Sequence, residues 1–180
     1  QDGRIGGSLI FIHIQFFKTP YGELVLGAFN DKLCLCDWRY RKMRSVVDGR
    51  ISRGLNAEFI EVDSPVLQEA KQQLDEYFGL ERKEFELPLL CVGTDFQKRV
   101  WDALVKVEYG KTSSYLELAE AMGNRHAVRA VASANGANAI AIIVPCHRII
   151  GSKGELVGYA GGLKAKERLL ALESGLFALT

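Results

Sequence analysis

Between Ala139 and Ile150 the sequence runs Ala-Ile-Ala-Ile-Ile-Val-Pro-Cys-His-Arg-Ile-Ile, an apolar stretch broken by one proline and three polar side chains. Any fold of this chain must bury Ala139 to Val144 and Ile149-Ile150, which read as strand or core. Pro145 ends regular hydrogen bonding. The pattern therefore predicts an apolar strand followed by a tight turn that delivers Cys146, His147 and Arg148 to a cleft. A cysteine is a useful nucleophile only as thiolate, so it needs a base or a positive field nearby, and His147 and Arg148 can each supply one. Adjacent residues point in different directions, so His147 needs a water or a bent backbone to reach the Cys146 sulfur. The bland alternative is a buried structural cysteine beside a chance histidine.

At 180 residues and 48% hydrophobic content, the chain can bury one good core, or two small ones sharing an interface. No apolar run is long enough to span a membrane. No small-residue cleavage site follows the Gly-rich opening, so a secretory signal is not expected. Cys34, Cys36, Cys91 and Cys146 match neither a disulfide framework nor a zinc pattern, which favours a reducing compartment. Cytoplasm is expected, or the nucleus in a eukaryote. Net charge is +1, but residues 1–95 carry 12 Lys/Arg against 15 Asp/Glu, and residues 96–180 carry 11 against 7. The basic half holds the Cys-His-Arg stretch, which points to an anionic partner there.

In chain order, residues 1–8 are set aside as a flexible leader. Leu9 to Phe17, Glu23 to Phe29 and Lys32 to Trp38 read as a three-stranded antiparallel meander, with a Pro-Gly turn at Thr19 to Gly22. Cys34 and Cys36 would share one face of the third strand. The basic run Arg39 to Arg44 reads as a solvated face. Ser64-Pro65 opens a helix that Gly79 closes, and Glu84 to Leu90 is extended. A small α/β domain over 9–91 is therefore expected, with a linker near Cys91-Val92-Gly93 and a second domain over 92–180.

That second half is mainly helical. Thr94-Asp95-Phe96-Gln97 is a capping-box sequence, followed by Phe96, Val100, Trp101, Leu104 and Val105 at helical spacing. Ser114 to Glu117 is another, opening a short helix through Met122. Gly123-Asn124 turns into a third helix, His126 to Asn135, built of small residues including Ala127 and Ala130. Two short helices across a Gly turn form a helix-turn-helix pattern. Arg129 is the one long charged side chain on the second of them, and small residues around it suit a narrow groove of DNA. Gly158 to Gly162 is a Gly-rich loop without the spacing of a phosphate-binding loop. The last helix runs from Leu163 to Leu172, and Glu173 beyond it reads as an ordinary exposed acid.

Taken together, these stretches resemble the O6-alkylguanine-DNA alkyltransferase family. The residues that carry the likeness are Gly93 to Gln97, Val100-Trp101, Tyr109 to Thr112, Ser114-Tyr115, Leu118-Ala119, Arg129 to Val131, Asn138 and Pro145 to Gly151. Gly158-Tyr159, Gly161 to Leu163 and Leu169-Leu170 complete it. Pro-Cys-His-Arg followed by two apolar residues is the most specific element. The resemblance runs without a gap from about Gly93 to Glu173. It implies an N-terminal α/β domain of ribonuclease-H-like layout with a small antiparallel sheet, and a helical DNA-binding domain.

The resemblance also implies roles. Cys146 would accept the alkyl group from guanine O6 by in-line attack, once per molecule. His147 would serve as its base through a water, and Glu173 would orient His147. Asn138 would brace the turn, and Tyr115 would donate to the guanine ring as charge develops. Arg129 would fill the place of a flipped nucleotide. Ser114, Ala127 and Ala130 would meet DNA; Tyr159 and Ala160 would line the pocket; Val144 and Arg148 would hold the guanine edge and the turn. The expected partner is duplex DNA carrying O6-alkylguanine or O4-alkylthymine, with no cofactor, no metal, no membrane and no obligate protein partner, the protein acting as a monomer. Glu108 and Arg125 stand where the family often has Pro, and Ala160 where some members have Ser. Three alternatives compete: a lesion-sensing relative without repair, which lacks the cysteine that Cys146 supplies; a helix-turn-helix regulator; and a thiol hydrolase.

Overall fold

The computed structural model describes residues 10–175; the leader expected over residues 1–8 lies outside them. Strands β1 (Phe11–Thr19), β2 (Gly22–Phe29) and β3 (Lys32–Trp38) form the expected antiparallel meander. Its second turn holds Asn30 and Asp31 at φ 49° and 59°, the left-handed pair that a two-residue hairpin demands and these residue types tolerate. The sheet has a fourth strand that sequence patterning did not reveal. β4 (Glu58–Glu61) pairs parallel with β1, giving the order β3-β2-β1-β4 and a mixed rather than purely antiparallel sheet. Helix α1 (Arg44–Leu55), also unforeseen, makes that crossover. It carries Gly49 and Gly54 and buries only Val47 and Ile51, so its periodicity is faint. Helix α2 (Pro65–Phe78) begins at Ser64-Pro65 as expected and packs across β1, β2 and β3.

Three expectations about the first half and the segment that follows it fail, each for a local reason. The β2–β3 register shifts between Gly27 and Ala28, so Gly27 faces Leu35 while Ala28 faces Leu33. The extra residue on β3 is Cys34, and a bulge of this kind reverses the facing of its neighbours. Cys34 therefore packs with Val47 and Ile51 of α1, whereas Cys36 enters the larger core on the other face. The basic run is likewise not a simple solvated surface. Arg41 and Arg44 turn inward to the buried carboxylate of Asp37, at 2.9 and 3.0 Å. The segment expected as a linker is packed: a Cβ on Gly93 would lie 2.5 Å from the Trp101 ring, and one on Gly54 would lie 2.4 Å from Val92.

In the second half, α3 (Asp95–Val105) starts in a complete capping box between Thr94 and Gln97. Val100, Trp101 and Leu104 are buried, while Val105 faces solvent. The helix-turn-helix consists of α4 (Tyr115–Ala121), a turn that includes one 3-10 turn at Arg125–Ala127, and α5 (Val128–Gly136). Ser114 caps α4 by accepting from the Glu117 N–H at 3.0 Å. A short parallel pair joins β5 (Ser113–Ser114) to β6 (Ile149–Ile150), which sets the start of α4 beside the Cys-His-Arg turn. Helix α6 (Leu163–Glu173) closes the described chain. One hydrophobic core runs without interruption from Leu24, Leu26 and Tyr77 to Trp101, Ile142 and Leu169, so the two halves share their interior. Among the described residues no helix is long and apolar enough to cross a membrane.

Candidate active site

The apolar run before Pro145 is a buried turn, not the strand expected from its composition. It docks on β3 through two bonds, Cys36 N–H to Ala139 O and Ala141 N–H to Cys36 O, at 2.8 and 2.6 Å. It then folds on itself, with Val144 N–H donating to Ile140 O at 2.9 Å. Ile142 pays for this turn with φ 72°, a conformation that a β-branched residue adopts only when its surroundings over-determine it. Asn138 closes the turn. Its amide nitrogen donates to Val144 O at 2.9 Å and to Cys146 Sγ at 3.2 Å, and its Oδ1 accepts from Ile140 N–H at 3.0 Å. A strand would have spread these groups apart. Apolar composition alone could not distinguish the two, because both bury the same side chains.

Cys146, His147 and Arg148 form a single 3-10 turn after Pro145, all three buried. Burial pushes the Cys146 thiol up to about 11, and the Asn138 amide only partly offsets that. The group is therefore protonated near neutral pH and needs a base. His147 supplies an imidazole whose burial lowers its pKa and keeps it neutral, against the raising influence of Glu173. Its Nε2 lies 2.7 Å from Glu173 Oε2. An ionised carboxylate can only accept, so Nε2 carries the proton and Nδ1 the lone pair. Nδ1 is buried without a protein partner.

Glu173 is not the exposed acid its neighbours suggested. It sits at the inner end of α6 and accepts from Arg148 Nε at 2.7 Å, Arg148 Nη2 at 3.1 Å and the Tyr77 hydroxyl at 2.6 Å. Burial alone would raise its pKa, but these partners and His147 outweigh it and hold the carboxyl down at about 2. With the imidazole neutral, the steady share of that stabilisation comes from Arg148 and from the His147 N–H rather than from an imidazolium charge. Tyr77 comes from α2 in the first half. In sequence it is one more apolar-spaced core residue, and nothing marks it as part of the site. Lys166 was also missed: fully buried on α6, its ammonium donates to the carbonyls of Ile149, Val157 and Gly158 and so joins the turn to the Gly-rich loop.

Cys146 opens on a cavity of about 230 Å³, lined also by Asn138, Tyr115, Tyr159 and Ala160, and by Asp37 and Arg41 of the first half. Tyr115 donates to Val157 O at 3.2 Å. Other expected residues lie elsewhere. Arg129 and Ala130 are exposed on α5 and Ala127 is half-buried at its start, while Ser114 is consumed as a helix cap. Val144 and Arg148 do not face the cavity. The Arg148 guanidinium is spent on Glu173 and on Val107 O, at 2.6 Å, so it can hold the turn but not a guanine edge. Arg148 lines instead a larger cleft of about 590 Å³ behind the turn, with Pro145, Ile142 and Phe85. Among the described residues no cluster of three or more His, Cys, Asp or Glu could hold a metal ion.

Two family models cover nearly the whole chain. Residues 12–91 match the ribonuclease-like domain, and residues 95–175 the DNA binding domain, of 6-O-methylguanine DNA methyltransferase. The chain belongs to this methyltransferase family. It is 42% identical over 163 residues to the methylated-DNA–protein-cysteine methyltransferase of Methanosarcina acetivorans, covering 90% of this chain and 98% of that one. It is 44% identical over 157 residues to the constitutive methyltransferase of Bacillus subtilis, covering 87% and 92%. Its fold superposes on a crystal structure of Mycobacterium tuberculosis OGT in complex with DNA with a TM-score of 0.79 at 40% identity, over 91% and 93% of the two chains.

Proposed function

We propose that this chain repairs DNA by moving the alkyl group of O6-alkylguanine, and of O4-alkylthymine, onto Cys146. Methyl transfer from DNA to a protein cysteine is the activity of the family. The observation that carries the assignment to this residue is the Cys146 sulfur on the floor of a base-sized cavity beside the buried His147–Glu173 pair. A water between His147 Nδ1 and Sγ would satisfy the unpartnered nitrogen and pass it the thiol proton. The thiolate attacks the alkyl carbon in line, the S–C bond forms as the C–O6 bond breaks, and the electron pair returns to the purine. Tyr115, at the cavity wall, donates to the ring as that charge develops. Glu173 stabilises the imidazolium formed on the way.

DNA docking falls to the helix-turn-helix. Arg129 projects from α5 near the cavity that Ala132, Asn135 and Gly136 of the same helix line. In this reading it fills the gap left when the damaged nucleotide swings out. The free thiols of the described chain suit a reducing compartment, cytoplasmic or nuclear. The thioether on Cys146 has no good leaving group, so each molecule acts once; the reading requires neither a second subunit nor a cofactor. Excess O6-methylguanine duplex titrated against a known amount of protein should give a burst that stops at one equivalent, with one methyl on Cys146 by peptide mapping. Release continuing past several equivalents, or the methyl on Cys34, Cys36 or Cys91, would overturn the reading.

A further inference from the structure

We propose that Trp38, in the N-terminal sheet, sets the size of the alkyl group the cavity accepts, by holding Tyr159 and the Gly161 backbone in place as its wall. The proposal rests on the reading of Cys146 as the alkyl acceptor. An alkyl carbon under attack must touch Sγ, so the rest of the alkyl group lies in the space that Tyr159 and Ala160 bound together with Cys146. Tyr159 is wedged between two rings. Trp38 meets it edge to face at 6.0 Å and 72°, and His147 meets it at 6.5 Å and 76°. The Trp38 indole N–H faces the Tyr159 hydroxyl, short of a well-formed hydrogen bond but close enough to oppose the effect of burial on that hydroxyl, so the same indole sets both the shape and the polar contact of this wall.

The indole cannot recede. Trp38 is 4% exposed and ends β3, paired with Leu24. Its backbone N–H donates to Asp37 Oδ1 at 2.9 Å, and its carbonyl accepts from Arg44 at 3.1 Å. On one side a Cβ at Gly22 would meet the ring at 3.1 Å. On the other, a Cβ at Gly161 would fall 2.6 Å from Trp38 Cε2 and 2.7 Å from Nε1. Gly161 does not have a positive φ, so it is the indole and not the backbone that requires glycine there. The loop carrying the cavity wall thus lies flat against a side chain from the other half of the molecule.

The test compares alkyl-transfer rates on duplexes carrying O6-methylguanine and O6-benzylguanine, so that DNA docking is common to both. Trp38→Leu and Trp38→Phe leave space behind Tyr159 and should raise the benzyl-to-methyl rate ratio, by about tenfold for Leu, the range that a small change in an apolar pocket commands. Gly161→Ala in the parent chain should lower that ratio, because the methyl forces the loop inward. Combined with Trp38→Leu it should recover, a non-additive result. Thermal melting identifies any variant that fails to fold. If the Leu variant does so, the Gly161→Ala and Trp38→Phe ratios decide. An unchanged ratio in every folded variant, or strictly additive effects in the double variant, overturns the proposal. Absence of transfer to Cys146 in the parent chain would instead overturn the functional reading beneath it.

Discussion

At the scale of single residues, the site depends on keeping one imidazole neutral and one carboxylate ionised inside the protein. Burial does the first against the pull of Glu173, and Arg148 with the His147 Nε2–H does the second by holding Glu173 ionised. Glu173→Gln would leave a buried guanidinium without its counter-charge, at ~3–5 kcal/mol of stability. The native carboxyl has a depressed pKa, so its contribution is complete above the unfolded value, about 4.3, and fades as pH falls toward the native value. Acid unfolding monitored by circular dichroism should therefore begin below about pH 4 in the parent and be weaker in its pH dependence in the variant. The rate carries a second signature. Glu173 raises the His147 pKa against burial, so its removal should move the acid limb of the alkyl-transfer profile to lower pH. A limb that stays in place would mean that His147 is not the group that titrates.

At the scale of elements, α5 is held at one end and presented at the other. Its C-terminal carbonyls at Gly136 and Ala137 accept from Arg41 and Arg50 at 2.9 and 2.7 Å, and Asn138 O from Arg41 at 3.4 Å. Cations at a helix C-terminus complement its dipole, and here they come from the other half of the chain. Trp101 Nε1 adds a bond from α3 to Ala134 O at 2.9 Å. The helix is thereby rigid behind the cavity while Arg129 stands free on its exposed face. Arg129→Ala should slow repair of methylated duplex far more than reaction with free O6-benzylguanine, since only the duplex requires a base to be extruded. Equal losses on both substrates, measured as second-order rates, would place Arg129 in the fold or the thiol chemistry instead.

At the scale of the whole molecule, the Cys146 sulfur lies in a core shared by both halves. Asn138, Val144, Tyr159 and the β3 residues Cys36 and Asp37 surround the turn that carries it. A methyl added to a buried sulfur must displace packed neighbours, and overpacking of that kind costs ~1–3 kcal/mol. The methylated protein should melt several degrees lower than the unreacted one, by ~2–12 °C for a chain of this size. Because the core crosses the seam, the loss should show as one cooperative transition. Two transitions, with only the second half shifted, would show that the halves unfold independently.

The sequence by itself marked the candidate reactive residues and determined most of the helices. Pro145 to Arg148 in an apolar frame, the Thr94–Gln97 box, Ser64-Pro65 and the small-residue helix are local signals, and each depends on chemistry within a few residues. The side-chain neighbours of the turn were not local. Tyr77 sits 96 positions from the carboxylate it donates to, and Arg50 87 positions from the carbonyl it caps. The apolar run at Ala139 to Val144 was legible as buried but not as a turn, because burial fixes composition and not direction. Arg148 showed the same limit: its charge was visible, and only packing revealed that Glu173 and Val107 consume it. Which face Cys34 takes was decided by a bulge whose partner lies on β2. Tertiary structure settled these matters because hydrogen-bond direction and ring contact depend on what stands opposite, and sequence order does not record that.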